Sequence, residues 1–515
     1  MEQYLLSIDQ GTTGSKILLV NRRGEVVADS YQKHTQYYPR SGWTEHDPEE
    51  IWEKVRLGVS DALSQAGIQP EQVIAVGLAN QGETVLFWDA ETGAPLYPAI
   101  VWSCRRSDQI AEQWERDGDW QKKIMEKTGL RIDSYFSATK IRWMMDEVAA
   151  VQEKIGQDQA YCSTLDSWLI WKMTGGTSYV TDASTAARTL LFNHRTRCWD
   201  EEILAYLGIK EKWLPKILPT VATFGHTDPS AFCGIDAPIL VSIVDQPAAL
   251  FGHVCVEPGM SKCTYGTGCF AYMNVGTTAP PPAENGMLTT VVWQKGEQLT
   301  YALDGAVYAA GSAIEWGMEA LGLYSTIEEL QSWSLEWLEQ MNNADPFDYI
   351  LTEEQFIPAL NGIGSPFWNS EARGTFVGLS HSTDRKMLAK AILEGIAQRV
   401  ADLFSAMEEA VGQSISSLRV DGGLTKNPYL MQIQSNLLGV PIVVPEEKET
   451  TSMGIVYMLG EACGWWQVED LQEKAGQGKT YLPVWSEQQR QKARARWKLA
   501  VAHLLRYSEE QARMG

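Results

Sequence analysis

Two turns built of glycine and threonine, Gly11-Thr12-Thr13-Gly14 and Gly266-Thr267-Gly268, each stand between two apolar runs of the sequence. Such turns can bind phosphate, because glycine lets a phosphate approach the backbone N–H groups and threonine adds hydroxyl donors. Lys16 adds a positive charge after the first turn. The apolar runs predict strands, so each turn is expected to close a hairpin, unlike a P-loop, which leads into a helix. A plain hairpin loop is the alternative for either turn alone, and the glycine pair of Asp421-Gly422-Gly423 favours the phosphate interpretation.

Two aspartates stand beside predicted strands and could take separate tasks in phosphoryl transfer. Asp9 precedes the first turn, and Asp245 follows the apolar run 238–244. Phosphoryl transfer needs a magnesium ion on the phosphates and a carboxylate that orients and deprotonates the attacking hydroxyl. Spacing alone assigns neither task. Asp245 could equally cap a helix that begins near Pro247.

The elements around these residues alternate between strands and a helix. Asp47 is a suitable cap for a helix over 48–66, in which apolar residues recur every four positions, and a buried strand follows over 73–78. This alternation predicts a sheet with parallel strands, and ligands of such sheets gather at the carboxyl ends of the strands. Asn80-Gln81-Gly82-Glu83 and Asp245 are expected at such ends.

The pattern of strand, glycine-threonine turn and strand occurs twice, first near residue 10 and again near residue 265. Since each hairpin would begin its own sheet, the repeat predicts two similar α/β domains, over 1–250 and 251–515. The charged stretch 487–514 is expected to form a surface helix.

The composition of the 515 residues excludes several classes of function. A formal net charge of -22 argues against a general attraction to nucleic acid or to anionic membranes. The N-terminus lacks the pattern of a signal peptide, and no run of about 18 apolar residues occurs, so we expect a cytoplasmic protein. The eight cysteines form no Cys-x-x-Cys pair, which favours reduced thiols over zinc ligation or disulfides.

Several segments resemble the FGGY carbohydrate kinases across almost the entire chain. The stretch 135–147, with Tyr135, Lys140 and Trp143, matches the first signature of that family at every constrained position. The second signature is matched by 374–379 and 388–394, with Met387 where a polar residue is usual. Further segments are most similar to the glycerol kinases within the family, namely 42–48, 101–106, 166–173 and 265–270.

The resemblance implies two actin-like ATPase (ribonuclease H-like) domains that flank a deep cleft. It also implies ATP and Mg²⁺ as cofactors and the phosphorylation of a terminal hydroxyl of a small polyol or sugar. The ATP would lie in the cleft, with the polyol deep on the first domain and the adenosine on the second. Neither nucleic acid nor a membrane is implied as a partner, and relatives are often homodimers or homotetramers.

Carried over position by position, the resemblance implies a nucleotide site, a metal site and a catalytic base. Asp9 would lie near magnesium, and Asp245 would be the catalytic base. Glu315 stands where bacterial glycerol kinases have glutamine. The implied nucleotide-binding residues are Thr12, Thr13, Lys16, Gly266, Thr267, Gly311, Glu315, Gly423 and Asn427.

The resemblance also implies a polyol pocket, in which carboxylates and an amide hold hydroxyls while aromatic faces cover the carbon chain. In a chain with 20 tryptophans, core packing is the alternative role for each aromatic residue. The implied substrate-binding residues are Gly82, Glu83, Trp102, Tyr135, Asp245, Gln246 and Phe270.

Gly82 departs from the pattern, because glycerol kinases have Asn-Gln-Arg-Glu-Thr where this chain has Asn80-Gln81-Gly82-Glu83-Thr84. The missing arginine predicts a substrate other than glycerol or larger than it. The alternative is that a lysine or arginine distant in sequence supplies the charge and glycerol remains the substrate. A different class, an ATP-gated binding protein of the actin or chaperone kind, shares the implied fold, but has no reason to carry the polyol residues.

Overall fold

The computed structural model describes residues 2–281, 285–343, 351–475 and 478–514, which form an α/β fold. The strands, in chain order, are β1 (Tyr4–Gln10), β2 (Gly14–Asn21), β3 (Val26–Lys33), β4 (Glu45–His46), β5 (Val73–Asn80), β6 (Val85–Asp89), β7 (Ala99–Ile100), β8 (Ala160–Thr164), β9 (Val180–Asp182), β10 (Phe192–Asn193), β11 (Cys198–Trp199), β12 (Lys216–Leu218), β13 (Val221–His226), β14 (Pro238–Val244), β15 (Ser261–Tyr265), β16 (Cys269–Gly276), β17 (Leu288–Lys295), β18 (Gln298–Val307), β19 (Gln355–Ile357), β20 (Thr375–Val377), β21 (Leu418–Asp421), β22 (Ile442–Pro445) and β23 (Gly478–Tyr481).

The helices surround the sheets and connect their strands. In chain order they are α1 (Pro48–Ala66), α2 (Asp108–Glu115), α3 (Gly118–Thr128), α4 (Ser137–Glu147), α5 (Ala149–Gly156), α6 (Leu165–Met173), α7 (Ala183–Ala186), α8 (Glu201–Leu207), α9 (Asp245–Gly252), α10 (Gly311–Glu319), α11 (Ile327–Asn343), α12 (Arg385–Val411), α13 (Pro428–Leu438), α14 (Thr450–Ala462), α15 (Val468–Ala475) and α16 (Glu487–Ala512).

The internal repeat predicted from the two turns is present in the strand order. In the first half of the chain, the order β3-β2-β1-β5-β14 pairs β1, β2 and β3 antiparallel, and β1, β5 and β14 parallel. The order β18-β16-β15-β21-β22 repeats these orientations in the second half. The expectation that each hairpin begins its own sheet is wrong, because the two sets join in one thirteen-stranded sheet through β13 and β17, where Val221 pairs with Lys295. The α/β class is therefore confirmed.

Helix α1 shows how local sequence determines an element of this fold. The Asp47 carboxylate accepts a hydrogen bond from the Glu49 N–H at 2.9 Å, and Gly67 ends the helix with a φ of 65°. Its buried face repeats the predicted four-residue spacing of apolar side chains. The predicted helix over 48–66 is confirmed, because its cap, apolar face and stop signal agree.

The C-terminal helix α16 lies at the surface, as predicted, but one of its faces is buried. Trp497 and Val501 pack against Ile357 and Ala359. The Trp497 Nε1 donates to the Asp402 carboxylate at 2.9 Å. The helix is therefore docked on the second half of the chain. Among the described residues, no helix is long and apolar enough to cross a membrane.

Helices α9 and α14 cross with their backbones in contact, and this crossing connects the two halves of the chain. A Cβ atom at Gly252 would lie 1.9 Å from the Thr450 carbonyl oxygen, and one at Gly454 would lie 1.9 Å from the Ala248 carbonyl oxygen. Only glycine fits at either position. Since α9 begins at Asp245, the crossing also holds that aspartate in place relative to the second half.

We expect Gly454→Ala to lower the melting temperature, because the added methyl group forces the two helices apart and such overpacking costs about 1–3 kcal/mol. Gly156→Ala is the matched control, since Gly156 is also helical but has no atom within 4 Å of the position of its missing Cβ. Thermal unfolding followed by circular dichroism measures both. Equal melting temperatures for the two variants would contradict the close crossing.

Candidate active site

The first glycine-threonine turn closes the predicted hairpin between β1 and β2. The Gly11 N–H donates to the Gly14 carbonyl at 3.0 Å. The Thr12 hydroxyl accepts a hydrogen bond from Trp102 Nε1 at 2.9 Å. The turn is thus attached directly to one of the aromatic side chains implied for the polyol pocket.

Two further polar side chains of this hairpin, those of Thr13 and Lys16, have partners within the protein. The Thr13 and Tyr31 hydroxyls are 3.1 Å apart. The Lys16 ammonium is paired with Asp29, a half-exposed residue on β3. Partly exposed ion pairs contribute little stability, so a phosphate could compete with Asp29 for this ammonium.

The second turn closes the hairpin between β15 and β16, and α10 begins against it. The Gly266 N–H donates to the Gly268 carbonyl at 2.9 Å, and the Gly311 N–H donates to the Gly266 carbonyl at 3.0 Å. A Cβ atom at Gly311 would lie 2.7 Å from that same carbonyl oxygen, so position 311 requires glycine. The start of α10 is thereby brought to the turn, where the Ser312 N–H also donates to the Thr267 carbonyl at 3.1 Å. Glu315 lies on the exposed face of α10.

The Asp421-Gly422-Gly423 segment also lies at the second turn. Gly422 has a φ of 92°, and a Cβ atom there would lie 2.4 Å from the carbonyl oxygen of Tyr265, the last residue of β15. Gly423 is exposed and has no atom within 4 Å of the position of its missing Cβ. Three segments of the predicted nucleotide site, around residues 266, 311 and 422, therefore meet at one place.

The side-chain amide of Asn427, another residue of the implied nucleotide site, is occupied within the protein. Its oxygen accepts from the Leu430 N–H at 3.0 Å and caps α13. Its Nδ2 donates to the Ser334 hydroxyl at 2.9 Å. The side chain thus fixes the position of α13 behind the loop.

The three aromatic residues implied for the polyol pocket lie together at the first turn. The ring of Trp102 lies 5.7 Å from that of Tyr135 and 6.2 Å from that of Phe270, both edge to face. All three side chains are only half-buried. This exposure distinguishes them from aromatic residues of the hydrophobic core.

Glu83 lies beside this aromatic group and is almost completely buried. Its φ of 60° is unusual for a residue other than glycine. Its carboxylate accepts from Arg188 Nε at 2.5 Å, and Arg188 Nη1 donates to the Asp304 carboxylate at 2.8 Å. Burial raises the pKa of Glu83, and the positive charge of Arg188 opposes that shift. Arg188 and Asp304 were not identified from the sequence.

The space beside Gly82 is occupied by other side chains. A Cβ atom at Gly82 would lie 3.1 Å from Cγ1 of Val244 and 3.8 Å from Cγ of Arg188. An arginine at position 82 would therefore require Val244 to move. The glycine does not leave an open space on this side, and an arginine distant in sequence lies at Glu83.

Asp9 and Asp245 lie close enough for each to affect the ionisation of the other. Burial, and then the negative charges of Asp245 and Glu449, raise the pKa of Asp9 to about 8. Burial also raises the pKa of Asp245, against the positive charge of Lys262. The Asp245 carboxylate accepts the neighbouring Gln246 N–H at 2.7 Å. Two neighbouring, partly buried carboxylates that repel one another fit a divalent cation, which would neutralise both.

Lys262 on β15 connects the second half of the chain to α9. Its ammonium donates to the Gln246 side-chain oxygen and, at 2.9 Å, to the Thr264 hydroxyl. Burial lowers the pKa of Lys262. The lysine places a positive charge beside Asp245 and was not identified from the sequence.

Lys140, from the first family signature, supports the loop that carries Tyr135. Its ammonium donates to the carbonyl oxygens of Ser134, Tyr135 and Phe136, the last two at 2.7 and 3.2 Å. Burial lowers its pKa to about 8. The lysine therefore fixes the backbone of the loop on which Tyr135 lies.

The charged residues that were not identified from the sequence have one feature in common. Each stands within a run of small or apolar residues. Arg188 follows Ala186 and Ala187, and Asp304 interrupts an apolar strand. Lys262 likewise stands in a buried strand. A buried charge needs a partner, so such positions are candidates for a functional site.

Two family models match the chain. The N-terminal domain of the FGGY family of carbohydrate kinases matches residues 4–252, and the C-terminal domain of that family matches residues 261–463. Together they cover more than half of the chain.

Curated relatives and solved structures agree with the family models. A glycerol kinase of Thermoanaerobacter pseudethanolicus is 41% identical over 99% of this chain and 100% of its own length, and one of a Geobacillus species is 42% identical over 97% and 99%. The structure of Plasmodium falciparum glycerol kinase with ADP aligns with a TM-score of 0.90 at 29% identity, over 98% of both chains. Gluconate kinase from Lactobacillus acidophilus aligns with a TM-score of 0.85 at 22% identity, over 98% and 99%, and shares the fold. The chain belongs to the FGGY family of carbohydrate kinases.

Proposed function

We propose that this kinase transfers the γ-phosphoryl group of ATP to a terminal hydroxyl of a small polyol. The observation that carries the proposal is the grouping of Trp102, Tyr135 and Phe270 with the buried carboxylate of Glu83, beside Asp245. Aromatic faces and charged acceptors suit a molecule that is both hydroxylated and carbon-rich. The relatives named glycerol kinase make glycerol the first substrate to test.

ATP would lie between the two turns, with its phosphates at the backbone N–H groups of residues 11–14 and 266–268. Asp9 would hold Mg²⁺, which supplies positive charge to the phosphates and neutralises the charge of the leaving group. Magnesium is commonly bound by one or two carboxylates together with substrate phosphates. Among the described residues, no group of three or more His, Cys, Asp or Glu side chains is arranged to hold a metal ion, so the phosphates would complete its coordination.

Asp245 would act as the general base toward the attacking hydroxyl. It begins α9 at the end of β14, and burial raises its pKa, which makes its carboxylate a better proton acceptor. Lys262 and Gln246 would fix the position of this end of α9 through their hydrogen bond. Closure of the two domains, which we assign to 1–250 and 251–515, would exclude water from the site.

A larger polyol is the second candidate substrate, and Gly82 is the observation that favours it. Glycine at this position lacks the guanidinium donors of the arginine that glycerol kinases have there. A tetritol or pentitol could therefore bring its own hydroxyls to Glu83. The side chains of Val244 and Arg188 beside Gly82 oppose this interpretation, because they fill part of the space.

We expect ADP release to depend on an added polyol in the unmodified protein and to be nearly lost in Asp245→Asn. Replacing a positioned base costs about 10²- to 10⁴-fold in rate. Binding of ATP should be largely retained, because the two turns are unchanged. A coupled assay with glycerol, erythritol, threitol, xylitol and xylulose measures the first effect.

Asp236→Asn is the matched control for this experiment, since Asp236 is exposed and pairs only with the exposed His226 among the described residues. Near-normal turnover in Asp245→Asn would contradict the assigned base. Hydrolysis of ATP that is independent of every hydroxyl compound would instead support an ATP-gated binding protein.

Gly82→Arg combined with Val244→Ala should raise the preference for glycerol over xylitol. The alanine removes the Cγ1 atom that lies 3.1 Å from the position of the missing Cβ of Gly82, so the double variant gives an arginine more room than Gly82→Arg alone. Hydrogen bonds from a charged group predict a gain of about ten- to a hundredfold in the ratio of kcat/KM values. Val244→Ala alone is the control. If the unmodified protein already prefers glycerol by a wide margin, the larger-substrate hypothesis is wrong.

A further inference from the structure

Arg188 is held between two carboxylates at the proposed polyol pocket. Its side chain is 1% exposed, and those of Glu83 and Asp304 are 5% and 7% exposed. Glu83 follows β5 in the first half of the chain, and Asp304 lies on β18 in the second half. Arg188 therefore binds carboxylates from both halves.

The guanidinium is oriented by rings as well as by ions. Its central carbon lies 5.6 Å from the ring of Tyr135 and 5.3 Å from the ring of Phe136. Its Nε and Nη1 groups bind Glu83 and Asp304, and within the described part of the chain Nη2 has no hydrogen-bond partner. Since a guanidinium carries five N–H donors in a rigid plane, it keeps donors for a substrate hydroxyl.

Tyr272 is a further polar residue beside the Arg188 guanidinium. It lies on β16 directly opposite Asp304 in the antiparallel register, and it is 2% exposed. Its phenol interacts electrostatically with Arg188, Asp304 and Glu83. A neutral phenol beside two carboxylates and a guanidinium gives the pocket a hydroxyl that can both donate and accept.

We propose that Arg188 is the specificity-determining cation of the polyol pocket, which holds Glu83 in position and donates to a substrate hydroxyl that Gly82 cannot reach. The proposal rests on the polyol kinase activity proposed above and applies whichever polyol is preferred. The stem of Arg188 passes directly beside position 82, since its Cγ would lie 3.8 Å from a Cβ atom there.

The other buried arginines serve as a comparison. Arg106 is equally buried and pairs with Glu45 at 2.7 Å, while its guanidinium lies 4.0 Å from the ring of Trp43. Arg106 thus has the same kind of environment as Arg188, namely a carboxylate and aromatic rings. None of its described partners belongs to the proposed polyol pocket. A substitution of Arg106 therefore shows the effect of losing a buried guanidinium on the protein without a change at the pocket.

The test measures KM for glycerol, erythritol and xylitol, KM for ATP and the melting temperature of Arg188→Lys, with Arg106→Lys as control. Lysine keeps the charge but loses the planar arrangement of donors. We expect KM for the polyols to rise about ten- to a hundredfold in Arg188→Lys, with a changed ratio among the polyols. KM for ATP should stay within about twofold, and Arg106→Lys should leave the KM values for the polyols within about twofold of the unmodified protein.

Asp304→Asn provides a second variant, because asparagine can still accept from Arg188 while the negative charge is removed. We expect a smaller rise in the polyol KM values and again a changed ratio. The proposal is overturned if Arg188→Lys is folded and its polyol KM values are unchanged. It is also overturned if Arg188→Lys does not fold and the polyol KM values of Asp304→Asn are unchanged. Either result would assign Arg188 to stability alone. Failure of the polyol kinase activity itself is recognised separately, because the unmodified protein would then release no ADP in response to any polyol.

Discussion

The burial of three charged groups beside the proposed polyol pocket is the constraint on which the site depends. Glu83, Arg188 and Asp304 are almost fully removed from water, and a buried ion is tolerated only where its partners are fixed in position. The three side chains come from distant parts of the chain, so the surrounding elements must bring them together accurately. The unusual backbone conformation of Glu83 belongs to the same arrangement, since it directs the carboxylate toward Arg188.

The repeated sheet order explains how one chain builds both parts of such a site. Each half presents a hairpin turn next to the carboxyl ends of its parallel strands, and the two halves bring different chemistry to their common boundary. The first half supplies Asp9 and Asp245 with the aromatic residues Trp102 and Tyr135. The second half supplies Phe270, Lys262 and the second turn. The close crossing of α9 and α14 links the two sets, so the position of Asp245 depends on the backbone packing between these two helices.

The sequence predicted those features that depend on neighbouring residues. Helix α1 has its cap, apolar face and terminating glycine within twenty-one consecutive positions, and both turns lie between runs that form strands. Arg188 could not be placed, because its partners Glu83 and Asp304 are 105 and 116 residues away in sequence. Gly82 was predicted to leave space for a larger substrate for the same reason: the Val244 side chain that fills part of that space lies on a different strand. The aromatic residues of the proposed pocket were predicted through family resemblance, since their spacing alone does not distinguish them from a hydrophobic core.

The product of the reaction tests the account most directly. Phosphorus NMR of the unmodified protein with ATP, Mg²⁺ and glycerol, repeated with erythritol, identifies the atom that receives the phosphoryl group. The account predicts a phosphomonoester whose phosphorus couples to the two protons of a terminal carbon, formed in equal amount to ADP. Orthophosphate as the only phosphorus product besides ADP, or a phosphoryl group on an interior carbon, would contradict it.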